Sequence, residues 1–479
     1  MNSPIKSILW YSFPFLVRNF IPLISLPFFT RYLLPDEFGS LALSIIYGVF
    51  IVGLLNLGLI SIFERNYFEQ NIQSKRLQLM WTCIIFVFIN LTIGTIITIQ
   101  LEESINLLIF GKNLPAFLTV LALIHLGLKS LLQYFYIYLR NSKKAKLYAF
   151  ISISEALICV CLSIYFVFDK RGILGYILGQ ALGVGIILII LTVLAILKRE
   201  IHFKGKLLKE NLKLSLPLTP RVFFGTINTQ FDRYMLGILN TKAGVGIYDI
   251  GQKFANLGFI FMTVLQQVFA PEVFSTYMKK PNKFSKNIAE YLIPFFCLSL
   301  FFCLLLGLFS QEIIYLFTTP PYYKAFPIIT ILNMLYATYF FGKQPQLLLA
   351  KETKLISTLS LVMVMLNILI NIPLINFFGI IGAAWGTFIS GIITSLISFY
   401  FAQKYAKIEY SKSIYLLYFL FQISLFIVLL LWYFKINYVM GLFFRIGILF
   451  VFIIVGNKLN LTGKVLFKGL LIKKVNYNV

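Results

Sequence analysis

Carboxylates are scarce in this chain. Only 17 of its 479 residues are Asp or Glu, against 42 Lys and Arg, and all charged residues together make up 12%. A soluble domain runs nearer ~25% charged. Histidine occurs twice, and no metal-ligand cluster or Gly-rich phosphate loop is present, so no cofactor is expected. An integral polymerase, ligase or glycosyltransferase needs acid, base or electrophile groups that converge at a wet face. The short loops assigned below to the outer side offer only scattered Asp36, Glu37, Glu102, Glu103, Asp169 and Glu312. An enzyme is therefore not expected. The five cysteines, Cys83, Cys159, Cys161, Cys297 and Cys303, all fall inside apolar runs and imply packing rather than a disulfide framework. The ten-residue alternation of a membrane β-barrel is also missing.

What the chain has instead is apolar length. Hydrophobic residues make up 59%, with a mean hydropathy of +0.88, and runs of about 20 recur from end to end. Each is long enough to cross a hydrocarbon core as a helix. The pattern predicts an all-α membrane protein of about 14 transmembrane helices. The first run, from near Ile8 to about Thr30, is too long for a signal-peptide core and is expected to remain as a span. The net charge of +25 follows the connections. About 28 Lys and Arg fall in one alternate set, including Arg65, Arg76, Arg140, Lys143, Lys144 and Lys198 to Lys213, and about 7 in the other. Positive residues stay on the cytoplasmic side, so both termini are expected there, in a plasma membrane. The basic excess then reports topology and attraction to anionic lipid heads, not nucleic-acid binding.

The chain also repeats itself. SFPFLVR (12 to 18) matches SLPLTPR (215 to 221), which aligns Arg18 with Arg221 at an offset of 203. EFGSLAL pairs with GVGIYDI, Gly39 with Gly246, at 207. GILGYILGQ (172 to 180) pairs with GIIGAAWGT (379 to 387), bringing Gly172, Gly175 and Gly179 onto Gly379, Gly382 and Gly386, again at 207. Six spans per copy place both copies in the same orientation, a parallel repeat about an axis along the membrane normal. The expected organisation is an N-lobe (1–197), a cytoplasmic linker (198–213), a C-lobe (214–402), two appended spans (403–458) and a basic tail (459–479).

Two blocks carry a family resemblance. ISLPFFTRYLLPDEFGSLALSIIYGVFIVGLLNLGL (24 to 59) and FDRYMLGILNTKAGVGIYDIGQKFANLGFIFMTVLQQVFAPEVFS (231 to 275) resemble corresponding segments of the Wzx-type polysaccharide flippases. These form a branch of the multidrug/oligosaccharidyl-lipid/polysaccharide exporter superfamily. The resemblance implies twelve helices in two lobes with two appended. It also implies translocation of an undecaprenyl-pyrophosphate-linked oligosaccharide, such as an O-antigen, capsule or exopolysaccharide repeat unit. Polysaccharide assembly proteins are partners it allows, and central-cavity arginines are a feature it suggests for Arg18 and Arg221. A cation or drug antiporter of the same superfamily is the alternative, and should show intramembrane carboxylates in excess.

Ionisable groups inside spans are costly and by default mark a pathway. At roughly 1.5 Å per residue, Arg18 lies about 15 Å and Arg221 about 12 Å from the inner ends of their spans. Both are expected to face the substrate cavity; structural pairing with Glu155 or with carbonyls is the alternative. His125, Lys129 and Gln133 recur every fourth residue and are read as one polar stripe facing that cavity, or else as a helix contact. Arg221, Asn228 and Asp232 share a face beside Arg233, and Asp249 and Lys253 stand at i,i+4. Arg233 and Lys253 are candidate substrate contacts. Glu155, Asp249, Asp232 and His125 are candidates for coupling or gating. For the outer group, structural pairing is the favoured reading. Arg18, Arg221 and Lys129 against one acid, Glu155, suit a pyrophosphate.

Overall fold

The computed structural model describes residues 17–70, 72–111, 113–279, 284–342, 346–349 and 353–459, without the side chains of 220–229 and of some others between 218 and 360. The Arg221 side chain and the basic tail thus lie outside the described residues. Those described are helical, with no strand among them. We number the helices α1 (17–24), α2 (Leu26–Tyr32), α3 (Pro35–Leu55), α4 (Leu59–Asn66), α5 (Gln73–Phe110), α6 (Leu118–Asn141), α7 (Ala145–Phe166), α8 (Gly172–Leu197) and α9 (Gly205–Ser215). They continue as α10 (Thr219–Leu239), α11 (Lys242–Lys279), α12 (Phe284–Leu308), α13 (Ser310–Phe317), α14 (Phe326–Gly342), α15 (Gln346–Leu349), α16 (Thr353–Tyr405), α17 (Lys412–Tyr433) and α18 (Tyr438–Lys458). Among the described residues, nine helical stretches are long and apolar enough to cross a membrane. Two of these, Ala145–Leu197 and Leu361–Tyr405, each contain a sharp turn at a glycine. The chain is a multi-pass membrane protein.

Two compact units form, residues 1–249 with 317–321, and residues 250–316 with 322–479. In the first, α6 packs against α3, α5 and α8 around a core that includes Phe63, Tyr67, Trp81, Leu132 and Tyr134. The segment expected as the linker, 198–213, carries most of a helix, α9. It lies against α4 and α5, with Asn66 Nδ2 donating to Asn211 Oδ1 at 2.7 Å. In the second unit α14 is surrounded by α12, α16 and α17.

The repeat is visible in backbone geometry. Gly172 (φ +55°, ψ −139°) and Gly379 (φ +57°, ψ −130°) turn the chain in the same way 207 residues apart. That region is closed to L side chains, so glycine is required at both. After each turn, the glycines three and seven residues on, Gly175 and Gly179 or Gly382 and Gly386, sit against the helix that precedes it. Alanine at Gly172 or at Gly379 is expected to cost about 1–3 kcal/mol at either site. Thermal unfolding in detergent should show similar losses for both; a loss at one site alone would mean that the two turns are not equivalent.

A second repeat-related pair meets face to face. A methyl added at Gly39 in α3 would run into the Lys242 carbonyl, and one at Gly246 in α11 into the Pro35 carbonyl. Lys242 and Gly246 follow Pro35 and Gly39 by 207 residues, so the contact is reciprocal, as two-fold symmetry demands. Local signals set α3 here: Pro35 at its first position fixes φ, Asp36 and Glu37 sit in the first turn, and Glu37 accepts the Leu34 N–H at 2.9 Å.

One expected span is broken. The apolar run from 38 to 62 reads as one helix, but α3 stops at Leu55 and α4 starts at Leu59. Leu57 (φ +50°) and Gly58 (φ +69°) take the left-handed turn that glycine permits. Freed backbone groups inside a membrane need partners. Asn90 Nδ2 donates to the Leu55 carbonyl at 3.1 Å, and Asn56 Oδ1 accepts the Ile60 N–H at 3.2 Å.

Candidate substrate cavity

The break opens onto a cavity of about 780 Å³ within the first unit. It extends from Val49 and Leu126, in the middles of α3 and α6, to Glu64 and Arg140 at the ends that join the basic loops. Asn56 fastens the break to α6, donating to Ser130 Oγ at 2.9 Å and accepting from the Tyr134 hydroxyl at 3.2 Å. The wall is therefore held by side-chain bonds between helices rather than by a continuous span.

Arg18, on α1, lines the cavity. Its Nη2 stands 3.9 Å from Glu155 Oε1 on α7, with the Arg18 side chain 31% exposed and that of Glu155 5%. The Tyr136 hydroxyl donates to Glu155 Oε2 at 2.5 Å, and the Arg18 guanidinium lies 5.5 Å from the Tyr136 ring centre. The carboxylate is thus fixed by the tyrosine and holds the arginine only loosely. At the basic end Arg140 Nη2 pairs with Glu64 Oε1 at 2.5 Å. Lys129 is different. It lines the same cavity, is half-buried, and its ammonium makes no hydrogen bond or ion pair among the described residues.

The stripe expected on α6 divides. Lys129 and Gln133 line the cavity, whereas His125 is 7% exposed beside the Gln180 backbone of α8, its Nδ1 without a hydrogen-bond partner among the described residues. Four residues advance a helix by about 400°, so a strict four-residue stripe drifts about 40° per step. The face that stays on the cavity mixes steps of three and four: Leu126, Lys129, Gln133, Tyr136 and Arg140. Tyr136, Arg140 and Glu64 are cavity residues absent from the sequence-based set. That alternation was available as a signal for the first two; for Glu64 nothing distinguishes it from a loop charge.

The outer group forms its own network. Arg233 Nε pairs with Asp249 Oδ1 at 3.1 Å, with side chains 12% and 8% exposed, and Arg233 Nη1 donates to Gln230 Oε1 at 2.9 Å. The Tyr248 hydroxyl donates to Asp232 Oδ2 at 3.3 Å. None of these residues lines the cavity around Lys129. Lys253 is half-buried one turn further along α11, in the second unit. Arg445, to which the sequence assigns no role, is 3% exposed and pairs with Glu312 at 2.9 Å.

The sequence pattern of the polysaccharide biosynthesis protein family matches residues 5–278, more than half of the chain. The chain belongs to this family. Its fold is also found in solved transporter structures. A solved lipid II flippase MurJ in an inward closed conformation matches with a TM-score of 0.69 at 18% identity, covering 94% of this family member and 99% of the flippase. An inward-facing multidrug resistance MATE family transporter of the MOP superfamily matches at 0.59 and 14% identity, over 83% and 97% of the two chains. A point mutant of the Vibrio cholerae MATE transporter VcmN matches at 0.53 and 14%, over 83% and 96%. No curated protein sequence matches the chain.

Proposed function

We infer that this protein carries a polyprenyl-pyrophosphate-linked glycan repeat unit from the cytoplasmic to the outer leaflet of a bacterial plasma membrane. The observation that carries the reading is Lys129: a half-buried cation, unpaired among the described residues, in a cavity where Arg18 and Arg140 have carboxylates. An unpaired charge held in a low-dielectric wall is costly and is compensated when a mobile anion arrives. Arg18, held by Glu155 only at 3.9 Å, is the second group able to turn toward it. A diphosphate offers oxygens enough for an ammonium and a guanidinium fork together.

In this reading the head group enters at the basic end, displaces Glu155 from Arg18, and leaves on the far side after the two repeat lobes exchange access, the tail staying in lipid. No bond is broken. Arg221, the repeat partner of Arg18, is the expected counterpart from the C-lobe. The Arg233–Asp249 pair and Asp232, buried and partnered, suit gating better than direct substrate contact. An antiporter is disfavoured by the same cavity, where cations lead. The Arg18→Ala/Arg221→Ala double variant is expected to lose glycan export while still inserting in the membrane at normal levels. Wild-type surface glycan in that variant would remove the cavity from the mechanism.

A further inference from the structure

A second concave site lies away from the cavity, where α5 begins and α6 ends. It has a volume of about 410 Å³ and is lined by Tyr67, Arg76, Tyr138, Asn141, Lys143 and Lys144 among others. The turn between α6 and α7 builds one wall. Lys143 takes a left-handed conformation (φ +58°), and the Lys144 N–H returns to the Leu139 carbonyl at 2.9 Å, so consecutive residues curl around the hollow. Arg76 forms the opposite wall. Its Nε donates to the Gln70 carbonyl at 2.6 Å, and its guanidinium lies 4.7 Å from the Tyr67 ring centre. Lys144 Nζ stands 5.7 Å from the Tyr138 ring centre, and the Tyr138 hydroxyl accepts from Gln73 Nε2 at 3.3 Å.

Two features make this more than a basic surface. No carboxylate forms an ion pair with Arg76, Lys143 or Lys144 among the described residues; Glu200 acts on Tyr138 only at longer range. And Asn141 Nδ2 is buried in the wall with no hydrogen-bond partner there. A buried amide donor without an acceptor is costly. Three cations, a free amide donor and tyrosine rings describe a receptor for a phosphate oxyanion. The rim decides its source. Phe68 and Ile72 are 64% and 53% exposed beside the hollow, and α7, which starts there, exposes Phe150 at 70%. Exposed apolar groups next to a cationic hollow, at the ends of membrane helices, mark the boundary between acyl chains and head groups.

We propose that this hollow binds the phosphodiester head group of an anionic phospholipid in the leaflet facing the basic loops. It is a lipid site separate from the transport cavity and independent of what that cavity carries. The full-length protein, purified from vesicles of mixed phosphatidylglycerol and phosphatidylcholine, is expected to retain phosphatidylglycerol in native mass spectrometry. Retention should fall about ten-fold or more in R76Q/K143Q/K144Q and several-fold in K143Q/K144Q, whose two lysines are exposed and leave the fold intact. The matched control K206Q/K209Q/K213Q, which removes three exposed charges from α9, should retain it as the wild type does. Equal retention in wild type and R76Q/K143Q/K144Q overturns the proposal, as does an equal loss in the control. Displacement of the lipid by millimolar inorganic phosphate also overturns it and assigns the hollow to a soluble anion.

Discussion

Lys129→Met is expected to abolish glycan transport, by about 100-fold or more, while leaving the protein as stable as the wild type or more so. The two halves of that result come from one cause. Lys129 is half-buried on a membrane helix, and its ammonium makes no hydrogen bond or ion pair among the described residues, Glu155 acting on it only at longer range. Its charge therefore weighs against the folded state, by about 1 kcal/mol given its partial access to the cavity. Methionine keeps the length and apolar stem of the side chain and removes that burden. An anion that the cavity must hold, in contrast, loses a charge-assisted contact worth roughly 2–5 kcal/mol when its environment is dry. Flipping of a lipid-linked oligosaccharide in reconstituted vesicles measures the first half and thermal unfolding the second. Normal flipping by the Met variant would show that the free ammonium has nothing to do with the cargo. Normal protein levels with lost flipping would separate a binding residue from a structural one.

The second large effect concerns Gly39 and Gly246. Alanine at either position places a methyl on a carbonyl of the other copy, Lys242 or Pro35, and backbone cannot rotate aside as a side chain can. Each single substitution is expected to cost about 1–3 kcal/mol or to force the helix ends apart. Because both methyls would be relieved by the same separation of α3 from α11, the double variant should cost little more than one single. A double-mutant cycle by thermal unfolding measures this coupling. Additive losses would mean that the two contacts open independently and that the reciprocal geometry has no mechanical consequence. The Lys242 ammonium, which donates to the Asn113 carbonyl, ties the same end of α11 to the segment between α5 and α6.

The helical class and the repeat were legible because they rest on long-range regularities. Apolar length fixes a span, and three matches at nearly one offset fix a duplication, which Gly172 and Gly379 then express as equal backbone turns. The break at Asn56 to Gly58 was not legible. Apolar length carries no information about a turn whose carbonyl is satisfied by Asn90, 35 residues further on. The cavity was half legible. Arg18, Lys129 and Glu155 announce themselves as charges within apolar runs, whereas Arg140 and Glu64 sit at helix ends and look like topology charges until they pair across 76 residues. Asp249 shows the limit of reading along one helix: i,i+4 spacing points to Lys253 and carries no sign of the ion pair with Arg233 on α10.

The contact made by Arg445 ties α18 to a part of the chain far upstream in sequence. Its Nη1 reaches the Leu308 carbonyl at 3.3 Å as well as Glu312, and its Nε returns to Gly441 at 3.1 Å. Helix α18 therefore supplies the counterion for an acid on α13. Removing α17 and α18 would strand that acid beside the exposed end of α12, so a chain without them would first have to neutralise position 312. Gain or loss of the terminal pair is tied to one side chain far upstream in sequence, and the two should change together.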